Sequence, residues 1–117
     1  MASFEKLLVY QKSIEFTHQV YLITEKWPKS EIFGIISQLR RAALSIALNI
    51  AEGNSRTQKD FAHFLIISRG SCYECIPILA IALKIGYITS KEYQICYTQV
   101  EEIAKMISGL RNAVIKK

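Results

Sequence analysis

QLRRAALSIALNIAEG, residues 38–53, reads as a helix that is apolar nearly all round except along one narrow polar edge. At 100° per residue, Gln38, Arg41, Ser45, Asn49 and Glu52 follow one another at steps of three, four, four and three, so their side chains share one line. Leu39, Ala42, Ala43, Ile46 and Ile50 lie on a second face, and Leu44, Ala47, Leu48 and Ala51 on a third. One small core can cover only one of these two apolar faces. The other predicts contact with a second subunit.

The helical period continues to either side. A first helix is expected from about Phe4 to Lys26, with Leu7, Tyr10, Ile14 and Tyr21 on one face, Val9, Phe16, Val20 and Ile23 on another, and Pro28 ending it. The second starts near Ser30 or just after Gly34 and closes at Gly53-Asn54, which suit a left-handed cap. Thr57 with Asp60 resembles a capping box and opens the third helix. Its stripe of Phe61, Phe64, Leu65, Ser68, Cys72, Cys75, Ile76, Leu79, Ala82 and Leu83 runs to Gly86. Pro77 inside that stripe predicts a kink or local break. Thr89 with Glu92 makes another capping box, and Tyr93, Cys96, Tyr97, Val100, Ile103, Ala104, Ile107, Leu110 and Val114 form a fourth stripe. Strand signals, repeats and linkers are missing from the pattern. The expected fold is all-α, a single domain over residues 1–117 built as an antiparallel up-down-up-down four-helix bundle that assembles as a homo-oligomer.

With 50% apolar residues in 117, the chain can build a core without a staple. Charges interrupt the apolar segments before they reach the roughly 20 residues of a membrane span. The opening MASFEKLLVYQKS lacks a long apolar signal core. No membrane partner is therefore expected. An odd count of three cysteines argues against a disulfide framework, and a cytoplasmic location is expected. Of the net charge of +5, residues 55–117 carry four units. That excess is compatible with phosphate neutralisation and equally with a solvated basic surface. There is no Arg-rich run and no lysine block beyond Lys116-Lys117.

LVYQKSIEF, then WPKSEIFGIISQLRRAALSIALNIAEGNSR, then FAHFLIISRGSCYE and LKIGYI together resemble the four helix bundle proteins encoded in 23S ribosomal RNA intervening sequences. The resemblance covers about residues 4–112. QLRRA, the NIAEG run with Arg56, and Gly70-Ser71 with Glu74 are its most specific parts. It implies an antiparallel four-helix bundle forming a homopentamer with no assigned catalytic activity. More distantly the chain is similar to the accessory variability protein of diversity-generating retroelements, whose basic surface binds nucleic acid and a reverse transcriptase. Cys72 and Cys75 stand where the intervening-sequence family usually has aliphatic residues.

Chemistry-bearing residues are few. Cys72 and Cys75 have the C-x-x-C spacing of redox and zinc sites, but both fall inside an apolar stripe, where thiols act as small hydrophobes. Zinc needs two more ligands, and only Cys96, His18 and His63 could supply them, with no second pair at ligand spacing. No metal or cofactor is expected. Asp60 is the one aspartate and is taken by a cap, and Glu101-Glu102 fall on a solvent side. The five glycines are isolated, and no enzyme is expected.

Gln38, Arg41, Ser45, Asn49 and Glu52, with Glu74 from the third helix, are expected to form a polar network at the bundle edge or between subunits. Leu44, Leu48, Ile67, Ile78, Ile81 and Ile85 are the candidate subunit interface, and Gly70-Ser71 marks a close backbone approach. Beside a minor third reading, a thiol or metal site at the cysteines, two functions stay open. One is nucleic-acid binding, to RNA or DNA, with Arg40, Arg56, Lys59, Arg69, Lys84 and Lys91 as phosphate contacts. The other is a scaffold that captures another protein.

Overall fold

Leu7 breaks what the periodicity reads as one long first helix. In the computed structural model, which describes residues 1–116, Leu7 is extended (φ −71°, ψ 126°) between a 3-10 turn at Ser3–Lys6 and α1, Leu8–Thr24. A second 3-10 turn at Lys29–Glu31 leads into α2, Ile35–Asn54, followed by α3, Gln58–Lys84, and α4, Ser90–Ile115. Lys117 lies outside the described residues.

Each helix packs on its neighbour in sequence and α1 closes on α4, within an envelope of 46 × 22 × 21 Å. This all-helical arrangement is compatible with the expected antiparallel bundle. The α2–α3 seam is the most extensive and α1–α4 the least. The core is the stripe set read from the sequence: Phe16, Leu39, Ile46, Ile50, Leu65, Leu79, Ile103 and Ile107 are fully buried. Each such side chain contributes roughly 1.5–3 kcal/mol of transfer free energy.

Buried hydroxyls tie the helices together without leaving orphan groups. The Thr17 Oγ1 donates to Ser13 O at 2.8 Å and lies 3.2 Å from Ala43 O. The Ser68 Oγ donates to Ile46 O at 2.8 Å. These back-bonds let hydroxyls sit mid-helix in a core. At one end of the bundle Trp27 is buried against Tyr87, with ring centroids 5.6 Å apart, and the Tyr87 hydroxyl donates to Glu31 at 3.0 Å.

Helix ends partly confirm and partly correct the sequence. Thr89 and Glu92 form the reciprocal box, and the Thr57 hydroxyl accepts from the Asp60 amide at 3.2 Å. Gly86, at φ +84°, closes α3 with the Tyr87 amide reaching Ala82 O and its own amide reaching Leu83 O. Gly53 is not a left-handed cap, for α2 runs through it to Asn54. A Cβ on Gly53 would stand 2.6 Å from the Phe64 Cβ, so its role is close packing of α2 on α3. Nor does Pro77 break α3. Pro77 and Tyr73 are both exposed, which leaves water to bond the Tyr73 carbonyl that the proline cannot.

One further correction concerns hydropathy. Contrary to the expectation of early interruption, α3 is long and apolar enough to cross a membrane by length and composition alone, with a mean hydropathy of 1.5 over an 18-residue window. In the fold it packs between α2 and α4, and the surplus apolarity is spread over a second face.

Candidate functional site

That second face belongs jointly to α2 and α3. The Ser71 Oγ lies 2.9 Å from the Ser45 Oγ, and Ser68 bonds Ile46 O, which fixes the register of the two helices. Outside this seam Leu44, Leu48, Ile67, Ile81 and Ile85 are all exposed, Leu48 by 64%, while Ile78 is half-buried. Phe33, at the entry to α2, is 95% exposed. Leu39, Ala42, Ala43, Ile46 and Ile50 on the opposite face of α2 are 0–5% exposed. The two-faced reading of the helix therefore holds, with Ala47 the one member of the outer set that is buried.

On the same helical pair runs a cleft of about 570 Å³ lined by Phe33, Gln38, Arg41, Ser45, Glu74 and Ile78 among others. The expected polar network is only half present there. Asn49 Nδ2 reaches Ser45 O at 2.8 Å and Ser45 Oγ at 2.9 Å, Ser45 meets Ser71, and Glu52 accepts from Arg56 Nε at 2.9 Å. Among the described residues, the side chains of Gln38, Arg41 and Glu74 have no hydrogen-bond or ion-pair partner, and all three are exposed. Gly70 lies on the same outer side. A Cβ there would meet nothing within 4 Å, so the close approach expected at Gly70 is not made by this chain's own helices.

The six basic candidates do not form one patch. Arg40 is held against α1, its Nε donating to the Thr24 Oγ1 at 2.9 Å and its guanidinium lying 4.4 Å from the Tyr21 ring centroid. Arg56 is paired with Glu52, which raises its pKa, and rests over Phe64. Lys84 and Lys91 lie exposed about the α3–α4 turn. Lys59 and Arg69 flank the groove between α3 and α4. Arg111, which the sequence reading passed over, lines two adjoining hollows there of about 540 and 300 Å³. Its signal was a guanidinium next to the apolar stripe, four residues after Ile107 and three before Val114.

The cysteines are core residues. All three are buried, and burial pushes the thiols up, Cys96 to about 11 and Cys72 to about 12, with Cys75 raised further. A thiol held protonated in this way is a poor nucleophile and a poor ligand. His63 is exposed beside Phe64, 6.0 Å between ring centroids. Among the described residues no three His, Cys, Asp or Glu side chains converge.

Against known proteins, the family model described as 23S rRNA-intervening sequence protein matches residues 5–109. Among solved structures, the chain is similar to a protein of unknown function from the S23 ribosomal protein family of Bacteroides thetaiotaomicron VPI-5482. The identity is 26% and the TM-score 0.81, over 90% of this chain and 96% of that one. No curated protein matches the sequence.

Proposed function

The chain belongs to the 23S rRNA-intervening sequence protein family, and from that premise we propose that it is a self-assembled, non-catalytic protein of the cytoplasm that binds nucleic acid. The carrying observation is the outer face of α2 and α3. Leu44, Leu48, Ile67, Ile81 and Ile85 are more apolar surface than one helical pair ordinarily leaves in water, and the cleft on the same pair carries Arg41 and Glu74 without partners. Opposite charges set among apolar residues suit a head-to-tail contact with a further copy of the chain, Arg41 of one copy meeting Glu74 of the next, the kind of contact that can close into a ring. The family resemblance puts the expected count at five.

Nucleic acid as the ligand is supported by the charge of +5, four units of which fall within residues 55–117. The more distant resemblance to retroelement accessory proteins points the same way. The test is native mass by light scattering behind a sizing column, with protein and nucleic-acid absorbance followed at low and high salt. The expected result is a multiple of 13.3 kDa carrying nucleic acid that salt removes. A clean assembly that also fails to retain added RNA or DNA would overturn the nucleic-acid reading in favour of a protein scaffold. A 13.3 kDa species would overturn assembly.

A further inference from the structure

We propose that the groove between α3 and α4 is the seat of a single-stranded nucleic-acid backbone, with Arg111 at its centre. The proposal rests on the nucleic-acid reading above and adds a place and a strandedness to it. The two hollows of this groove, about 540 and 300 Å³, share Ile66 and Arg111 and so run into one another along the helices. Lys59 and His63 line the first and Arg69 the second. From Lys59 to Arg69 is about 15 Å of helix at 1.5 Å per residue, long enough for a short run of phosphates.

Its charge sets this groove apart from the other hollows of the fold that carry charged side chains. Among the described residues no carboxylate lines either of its two hollows, whereas Glu74 lines the α2–α3 cleft and Glu15 and Glu102 the small α1–α4 hollow, where Lys12 is paired with Glu102. The Arg111 Nε is buried and has no hydrogen-bond partner among the described residues. The guanidinium makes no ion pair among the described residues, so its charge is left for a phosphate lying along the groove, which the terminal N–H groups can meet as a fork.

Two features favour a single strand over a duplex. The floor of the groove is apolar, with Ile66 and Val114 suited to sugar and base faces. Beside it Tyr73 is 47% exposed with the Arg69 guanidinium 5.4 Å from its ring centroid, a platform on which a base can stack. A paired duplex shows phosphates on its outside and hides its base faces, so it can use neither.

The test is fluorescence anisotropy of a labelled oligouridylate with the assembled protein across a salt series. Arg111→Ala is expected to weaken binding by roughly ten-fold or more, the loss of one charge-assisted contact. Because Arg111 is half-buried, the exposed pair Lys59→Ala with Arg69→Ala gives a second reading. It should lower the slope of log affinity against log salt by about 1.4, roughly 0.7 for each lost phosphate contact on a single strand. Lys84→Ala with Lys91→Ala, at the far end of α3, should leave affinity and slope nearly unchanged. If the groove variants bind like the parent while the Lys84 and Lys91 pair loses affinity, the placement is wrong and the nucleic-acid reading survives. If the duplex form of the same length binds better than the single strand, the strandedness is wrong. If the parent protein binds no oligouridylate even at low salt, both readings fall.

Discussion

Two glycines on the same helical pair separate what this chain does for itself from what it leaves for a partner. Gly53 faces inward, where a Cβ would come within 2.6 Å of Phe64, so the protomer alone explains it. Gly70 faces outward in open space, although glycine inside a helix costs about 1 kcal/mol relative to alanine. The same division runs through the side chains. Inside the seam Ser68, Ser71, Ser45 and Asn49 satisfy one another and the backbone, while outside it Arg41, Glu74 and Gln38 wait among exposed Leu and Ile. An inward seam that is complete beside an outward face that is not is the contrast on which the proposed assembly rests.

Putting a charge on the outward face should break that division most severely. Leu48→Glu is expected to reduce the assembly to a 13.3 kDa species with unchanged helical circular dichroism, since an unpaired buried charge costs several kcal/mol. Native mass reads it, and retention of the parent mass would remove Leu48 from the interface.

The inward side should respond to alkali. The folded thiols keep their protons to about 11 at Cys96 and about 12 at Cys72, while in the unfolded chain they ionise near pH 8.5. Their contribution is fully present below about pH 8.5 and is lost as pH rises from there through the folded values, by up to ~1.4 kcal/mol per thiol for each pH unit. Urea unfolding of the Leu48→Glu protein from neutral to alkaline pH measures the loss, and Cys96→Val should make the fall shallower.

The two glycines should then answer with opposite signs. Gly53→Ala forces a methyl against Phe64 and is expected to lower stability by about 1–3 kcal/mol in urea titration. A double-mutant cycle of Arg41→Ala and Glu74→Ala on the assembly constant should show a coupling of about 1 kcal/mol or more, and none on the stability of the Leu48→Glu chain. Gly70→Ala has the smallest expected effect. It should stabilise the Leu48→Glu chain by about 0.5–1 kcal/mol while weakening assembly of the otherwise unaltered protein, because only a second chain can crowd that position.

Much of this was legible in the sequence because helical period and burial are the same information. The buried set of α2, Leu39 through Ile50, and the exposed pair Leu44 and Leu48 follow from 100° steps alone. The Thr89–Glu92 box and Gly86 are local devices, each complete within a few residues. What the pattern could not supply depends on tertiary neighbours. Gly53 carries the same letter whether it caps a helix or admits Phe64, and only the docked α3 decides. Pro77 is tolerated because its face is wet, and Leu7 interrupts a run whose periodicity is unbroken. Arg40 reads as a free cation until Thr24 and Tyr21 are brought to it, and Arg111 reads as a surface charge until α3 walls it in.

The most direct measurement is the mass of the unaltered protein by sedimentation over a range of concentrations. The expected result is one multi-subunit species, a pentamer by the family resemblance, that persists on dilution. A species of 13.3 kDa at every concentration would contradict the claim that the outward face of α2 and α3 is covered by further copies of this chain.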